Sequence, residues 1–170
     1  GGDVMVENVI CDHLKPVMAK LREAGVTIIE ENSGVRVISS SPINPIDVKT
    51  LPYPGFPTDM QAQMMAMLTT AKGTSIITET VFENRFMHVN ELKRMGADIT
   101  IEGHSAVVKG VPELSGAQVR TTDLRAGAAL IIAALMAKGT TEITGLSHID
   151  RGYENVVAKL QSLGAKIERK

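Results

Sequence analysis

The sequence predicts an α/β fold of inside-out character, with apolar helices at the centre and strands and amphipathic helices around them, assembled from repeated units. Three observations lead there. Two stretches of the 170 residues can be laid over each other almost end to end. Each opens on a helix too apolar to face water. Each then alternates strand-forming and amphipathic segments.

The overlay is anchored at four places. Thr58-Asp59-Met60-Gln61-Ala62 answers Thr122-Asp123-Leu124-Arg125-Ala126, and Lys72-Gly73-Thr74 answers Lys138-Gly139-Thr140. Arg85 answers Arg151, and Met95-Gly96-Ala97-Asp98-Ile99 answers Leu163-Gly164-Ala165-Lys166-Ile167. The offset drifts only from 64 positions (59 to 123) to 68 (96 to 164), which small loop insertions explain. A third copy lies at the start, where Val4-Met5-Val6-Glu7-Asn8 resembles the strand before Glu83-Asn84, and Leu21-Arg22-Glu23-Ala24-Gly25-Val26 resembles residues 92–97. Its opening Thr-Asp helix is missing, so the chain is expected to be a fragment. The predicted units are roughly 1–41 (truncated), 58–110 and 122–170.

Each complete unit reads as helix, strand, helix, strand, with one further strand where the unit continues. Strand pairs are expected at 26–30 with 35–38, around Asn32-Ser33-Gly34, and at 99–102 with 106–109, around Gly103-His104. Gly25, Gly96 and Gly164 each stand where a helix closes just before a strand. The second helix of a unit is amphipathic, as at 89–95 with Glu91, Lys93 and Arg94 on its wet side. The first helix is different: over 124–137 Arg125 is the only strongly polar side chain, and 60–71 is nearly as apolar, so both are expected to be buried on every side. Three such helices would complete the centre. With two encoded, an apolar groove is expected, open to a partner or to self-association. Residues 42–57 hold five of the seven prolines and read as a stiff covering segment that ends on Asp59.

Composition bounds the function. A hydrophobic content of 44% supports a proper core. Eighteen basic against nineteen acidic residues give a net charge of −1, so no global field draws nucleic acid or an anionic membrane. An aromatic content of 3% without tryptophan also argues against stacking of single-stranded bases. Cys11 is the only cysteine, which excludes an internal disulfide and a cysteine-rich zinc site and fits a reducing, cytoplasmic setting. His13, His88, His104 and His148 show no metal-ligand spacing, and neither a Walker loop nor a dinucleotide fingerprint is present. No metal or organic cofactor is expected. No membrane span or export signal is read from the sequence either.

Chemistry is then sought where the two copies carry polar groups on apolar helices. Thr58-Asp59 and Thr122-Asp123 stand at helix starts, where a side-chain oxygen can cap free backbone N–H groups. Alternatively, a carboxylate so held can take a proton from an alcohol, although a helix N-terminus lowers its pKa and weakens it as a base. Gln61 in one copy is Arg125 in the other, and an arginine there needs a carboxylate or phosphate, whether an internal partner such as Asp123 or Glu154 or a ligand. Arg85 and Arg151 both follow predicted strand ends. Together with Arg125 they could form a small anion cradle, or each could be a surface ion pair.

Longer blocks carry a resemblance. Phe56-Pro57-Thr58-Asp59-Met60-Gln61-Ala62-Gln63, Thr78-Glu79-Thr80-Val81-Phe82-Glu83-Asn84-Arg85-Phe86-Met87-His88, Leu114-Ser115-Gly116-Ala117 and His148-Ile149-Asp150-Arg151-Gly152-Tyr153-Glu154 together resemble the UDP-N-acetylglucosamine 1-carboxyvinyltransferases. The resemblance covers essentially the whole chain. It implies a two-domain enzyme, each domain an inside-out α/β barrel of three repeated units, that closes over its substrates. Such enzymes move the enolpyruvyl group of phosphoenolpyruvate to the 3-hydroxyl of UDP-N-acetylglucosamine and release phosphate, the first committed step of peptidoglycan synthesis. By the same resemblance Asp59 is the acid-base residue beside the sugar hydroxyl, and Val81 contacts substrate through its backbone. Arg125 and Arg151 hold the phosphate and carboxylate of phosphoenolpyruvate, and Arg85 lines the cleft. The family's catalytic cysteine belongs to the other domain and does not match Cys11, so this chain by itself is expected to be inactive. The alternatives are a non-catalytic UDP-sugar-binding or regulatory paralogue, and the sister enzyme acting on shikimate 3-phosphate.

Overall fold

A computed structural model describes residues 1–40 and 42–170; the expected limit of the first unit, residue 41, lies outside the described residues. The chain opens with β1 (Gly2–Glu7), α1 (Cys11–Glu23), β2 (Thr27–Glu31) and β3 (Gly34–Ser39). After the short β4 (Val48–Lys49), a 3-10 turn (Thr58–Met60) leads into α2 (Gln61–Leu68), followed by β5 (Thr74–Thr78), α3 (Val89–Arg94), β6 (Asp98–Glu102) and β7 (Ser105–Lys109). The last part holds β8 (Gln118–Arg120), α4 (Leu124–Met136), β9 (Glu142–Thr144), α5 (Ser147–Gly152) and α6 (Val156–Ser162). No helix among the described residues is long and apolar enough to cross a membrane.

Two sheets share one wiring. In the first, β3 lies between β1 and β2; in the second, β7 lies between β5 and β6, all antiparallel. The register Asp98↔Lys109 to Glu102↔Ser105 places Ile99, Ala106 and Val108 on the core face and sends Asp98, Thr100 and Lys109 outward, the period-two pattern of a half-buried sheet. β4 joins this sheet parallel to β5, as β8 pairs parallel with β9. The helix-closing glycines adopt positive φ (Gly25 +91°, Gly96 +91°, Gly164 +89°), a left-handed turn that a side chain would strain.

The core gathers around α2 and α4. Met65, Leu68 and Leu130 are fully buried between them, each stabilising the fold by roughly 1.5–3 kcal/mol relative to exposure. The helices run parallel, since Asp59 meets Arg125 at their starts while the Thr70 hydroxyl reaches Met136 Sδ at their ends. Within 42–57, Ile46, Val48, Thr50 and Phe56 are all buried.

Three expectations need correction, and one of two alternatives falls. α4 is not buried on every side: Leu135 is 47% exposed, because α2 and α5 cover only part of its circumference. The strand expected near Ile167 is absent; residues 165–170 find no antiparallel neighbour of the kind β7 provides for β6. Neither arginine follows a strand end directly: Arg85 lies seven positions past β5 in irregular chain, and Arg151 seven past β9 within α5. Asp59 does not cap α2, as described below.

Gly110 marks a close backbone approach. A Cβ there would overlap the carbonyl of Ala71, while the Gly110 N–H donates to Gly73 O and that of Val111 to Thr69 O. Backbone cannot step aside as a side chain can. Gly110→Ala is therefore expected to cost about 2 kcal/mol or more, read as a lower denaturation midpoint at unchanged m-value.

His88, just before α3, is 3% exposed and its Nε2 has no hydrogen-bond partner. Burial pushes its pKa down to about 4, with Asp123 opposing weakly from nearby. Above pH ~6.5 the imidazole is neutral folded or unfolded and does not affect stability. Below that the unfolded chain takes up the proton first, so stability falls until the folded-state pKa is passed. At about 1.4 kcal/mol per unit, the loss reaches roughly 3 kcal/mol. Thermal unfolding between pH 6.5 and 4.5, above most carboxylate titrations, should show this slope in the wild type and lose most of it in His88→Gln.

Candidate functional site

The parallel contact of α2 and α4 brings both helix starts to one end of the molecule, and there the repeated Thr-Asp pairs part company. Asp123 is extended (φ −161°, ψ 177°) and its Oδ1 accepts from the N–H groups of Arg125 and Ala126, at 2.8 and 3.1 Å. It is a cap. Asp59 lies instead inside the 3-10 turn; Pro57 precedes that turn without side-chain capping, and the Asp59 carboxylate points away from the helix. Its Oδ1 accepts from Arg125 Nε at 2.6 Å and from Arg85 Nη1 at 3.2 Å. The cap alternative thus holds for Asp123 and fails for Asp59, and the partner of Arg125 is neither Asp123 nor Glu154 but Asp59.

Two guanidinium groups therefore converge on one carboxylate oxygen. The Arg125 side chain is 34% exposed and that of Arg85 18%, whereas Asp59 is 66% exposed. The Arg125 hydrogen bond holds the Asp59 pKa below its ordinary value, with partial burial opposing and Arg85 adding to the depression. Arg85 is fixed on two further sides: Nη1 donates to Thr58 Oγ1 at 2.7 Å, and the guanidinium carbon lies 3.6 Å from the centre of the Phe82 ring. Beside these groups opens a cleft of about 260 Å³, with Gln61, Arg85, His88, Asp123 and Arg125 in its wall. Gln61 Nε2 and His88 Nε2 face burial there without partners. A larger hollow of about 490 Å³ lies between α1 and the β4–β5 edge, but its walls are mainly apolar (Pro16, Ala19, Leu51, Phe56) and its Lys20 and Asp47 are spent on local hydrogen bonds. Convergent polar chemistry, not volume, singles out the smaller cleft.

Of the residues singled out in the sequence, Asp59, Arg85 and Arg125 meet. Arg151 is exposed on α5, makes no ion pair among the described residues and is not in the wall of the cleft. Val81 flanks the cleft at 39% exposure, with its N–H already donated to Glu79 Oε1, which leaves its carbonyl and side chain free for contact.

Glu79 escaped the sequence reading. It is 1% exposed and accepts four hydrogen bonds: Oε1 from Thr50 Oγ1 and the N–H groups of Val81 and Phe82, Oε2 from Thr58 Oγ1, all at 2.8–3.2 Å. Burial raises its pKa, but these donors, Thr50 foremost, outweigh it and leave the pKa lowered. The available signal was its place in the repeat, where a carboxylate in one copy stands opposite Gly145 in the other.

Known proteins resemble the chain over nearly its whole length. Residues 1–160 match the family EPSP synthase (3-phosphoshikimate 1-carboxyvinyltransferase). The chain is 64% identical over 170 residues to UDP-N-acetylglucosamine 1-carboxyvinyltransferase 1 of Caldanaerobacter subterraneus subsp. tengcongensis, covering 100% of this chain and 41% of that protein. It is 62% identical over 168 residues to UDP-N-acetylglucosamine 1-carboxyvinyltransferase of Desulfofundulus thermocisternus, covering 99% of this chain and 69% of that one. Against four of its curated relatives the chain spans 38 to 41% of their length. Among solved structures, the enolpyruvyl transferase NikO from Streptomyces tendae matches with a TM-score of 0.82 at 31% identity, covering 91% of this chain and 36% of that one. An EPSP synthase from Acinetobacter baumannii matches with a TM-score of 0.74 at 18% identity, covering 99% and 40%, a likeness of fold. By sequence over nearly its whole length and by fold, the chain belongs to the EPSP synthase family of enolpyruvyl transferases, beside the UDP-N-acetylglucosamine 1-carboxyvinyltransferases.

Proposed function

We propose that the chain is one domain of a UDP-N-acetylglucosamine 1-carboxyvinyltransferase. In this reading it moves the enolpyruvyl group of phosphoenolpyruvate to the sugar 3-hydroxyl in the cytoplasm, for peptidoglycan synthesis. The observation that carries the reading is the convergence of Arg85 and Arg125 on Asp59 at the mouth of a cleft. Two guanidinium forks suit a ligand bearing both a carboxylate and a phosphate. A carboxylate held between them marks where such an anion would sit. The domain would be an inside-out barrel of the units 1–41, 58–110 and 122–170, with 42–57 as its cover. A second domain would bring the catalytic cysteine and close over the cleft, and Arg151 would enter the site only on that closure. The open side of α4 at Leu135 suits such a covering segment, or self-association of the isolated chain.

Asp59 as it stands is a poor base, since its arginine partners hold its pKa down. Arrival of phosphoenolpyruvate changes that. The anion competes for Arg85 and Arg125, and a carboxylate relieved of them in a closed, dry site regains basicity. Asp59 would then accept the proton of the 3-hydroxyl as its oxygen attacks C2 of phosphoenolpyruvate, while an acid of the second domain would give a proton to C3 and take one back on elimination. The resulting tetrahedral ketal loses phosphate and the C3 proton to give the enolpyruvyl ether. The arginines would stabilise the phosphate as its bond to carbon breaks. No cofactor is needed for these steps.

Phosphate release tests the reading. The 170-residue chain with both substrates should release none above background, whereas a hybrid carrying this chain in place of the matching segment of the Caldanaerobacter relative should turn over; an inactive but folded hybrid would count against the proposal. In the hybrid, Asp59→Asn should lower kcat by about 10²–10⁴-fold, the span of a general acid-base group. Its melting temperature should barely move, because exposed ion pairs contribute only about 0–1 kcal/mol. Substrate still bound with turnover lost separates catalysis from a mere binding role.

Arg125→Ala should raise KM for phosphoenolpyruvate about 10–100-fold, the loss of one or two charge-assisted hydrogen bonds, and affect KM for the sugar nucleotide much less. Arg125→Lys should restore little, as an ammonium lacks the fork. Initial-rate kinetics with each substrate varied would check both.

A further inference from the structure

Behind the cleft, Glu79 is a buried carboxylate that touches no cation among the described residues, and we propose that it is the positioning residue of the site, fixing the Arg85 guanidinium from two sides. The first route runs through Thr58: its hydroxyl donates to Glu79 Oε2 at 2.8 Å and accepts from Arg85 Nη1 at 2.7 Å. With its proton committed to Glu79, the Thr58 oxygen offers Arg85 a lone pair in a set direction. The second route runs through Phe82, whose N–H donates to Glu79 Oε1 and whose ring carries the guanidinium at 3.6 Å. A displacement of Glu79 would therefore shift both supports of Arg85 together.

Comparison of the two copies separates this role from ordinary folding. The same corner occurs twice: Thr50 N–H donates to Thr78 O, and Thr121 N–H donates to Thr144 O. In the second corner the Thr121 hydroxyl simply donates to the carbonyl of Gly145, and the corner closes without a carboxylate. In the first, the Thr50 hydroxyl donates to Glu79 instead. Burying a carboxylate is costly unless donors surround it. The corner can be built without that cost, and the copy that includes it is the one beside Asp59 and Arg85. What Glu79 adds is direction for Thr58, Val81 and Phe82, the residues that frame the cleft mouth.

The proposal rests on the reading of the cleft as an anion site for its kinetic consequence, but not for its structural one, and the test keeps them apart. In the ¹⁵N-labelled chain, the Arg85 Nε–Hε signal should be well ordered, and its heteronuclear NOE should drop toward that of Arg151 in Glu79→Gln and in Thr58→Val. The amide introduced by Glu79→Gln offers an NH₂ where Thr58 needs an acceptor, so the hydroxyl proton loses its outlet. Thr58→Ser, which keeps the hydroxyl, should retain the ordered signal. In the hybrid enzyme, Glu79→Gln and Thr58→Val should lower kcat/KM for phosphoenolpyruvate about 10–100-fold, the scale of a small misplacement of a binding group. An Arg85 signal unchanged in both Glu79→Gln and Thr58→Val overturns the proposal. Should Glu79→Gln fail to fold, the Thr58→Val and Thr58→Ser pair decides alone. An inactive wild-type hybrid would count against the functional reading, while the Arg85 signal still decides on Glu79.

Discussion

Parallel packing of α2 on α4 is the constraint from which the rest of the molecule follows. Two helices this apolar cannot face water, and side by side they form the centre on which the sheets and outer helices close. Because they pack parallel, their starts coincide and whatever the sequence writes there is brought together. Asp59 meets Arg125 and Thr70 meets Met136, each pair 66 positions apart in the chain. Residues 66 positions apart thus touch at both ends of the helix pair.

Divergence of the copies then supplies the chemistry. A helix start needs one cap, and Asp123 serves as one with two backbone N–H groups. Asp59 is released from that duty by the 3-10 turn, which satisfies the Met60 N–H through Pro57 O and points the carboxylate outward. Gln61 stays buried where Arg125 reaches across. Glu79 enters a corner that its counterpart closes with a glycine. Each difference places a polar group in or behind the cleft where the other stretch carries a structural one.

How much of this was legible follows from what pattern encodes. Apolar periodicity and glycine spacing fixed α2, α4, the strand pairs β2–β3 and β6–β7 and the helix ends at Gly25 and Gly96, because burial and backbone sterics act locally. The same local rules could not tell Asp59 from Asp123, since both follow a threonine before an apolar helix. The difference lies in whether the residue adopts extended backbone or the turn, which the preceding Pro57 and the covering segment decide. Arg85 and Arg151 each lie seven positions beyond a strand, but equal spacing did not reveal that the intervening residues stay irregular after β5 and coil into α5 after β9. Glu79 and His88 were invisible as site residues because their meaning comes from neighbours far along the chain, Thr50 and Thr58 for one and Asp123 for the other.

Three carboxylates and two arginines crowd one end of the molecule, and a site built that way could easily lock itself into permanent ion pairs. It does not, because each carboxylate is disposed differently. Asp123 is engaged by backbone N–H groups, and Glu79 by four neutral donors, so neither makes direct side-chain contact with an arginine. Asp59 alone does, and it is also the most exposed of the three. A pair in that position is screened by solvent and contributes little to stability, so breaking it costs little. The two buried or capping carboxylates are spent on neutral donors, and the two guanidinium groups are left paired with the exposed one.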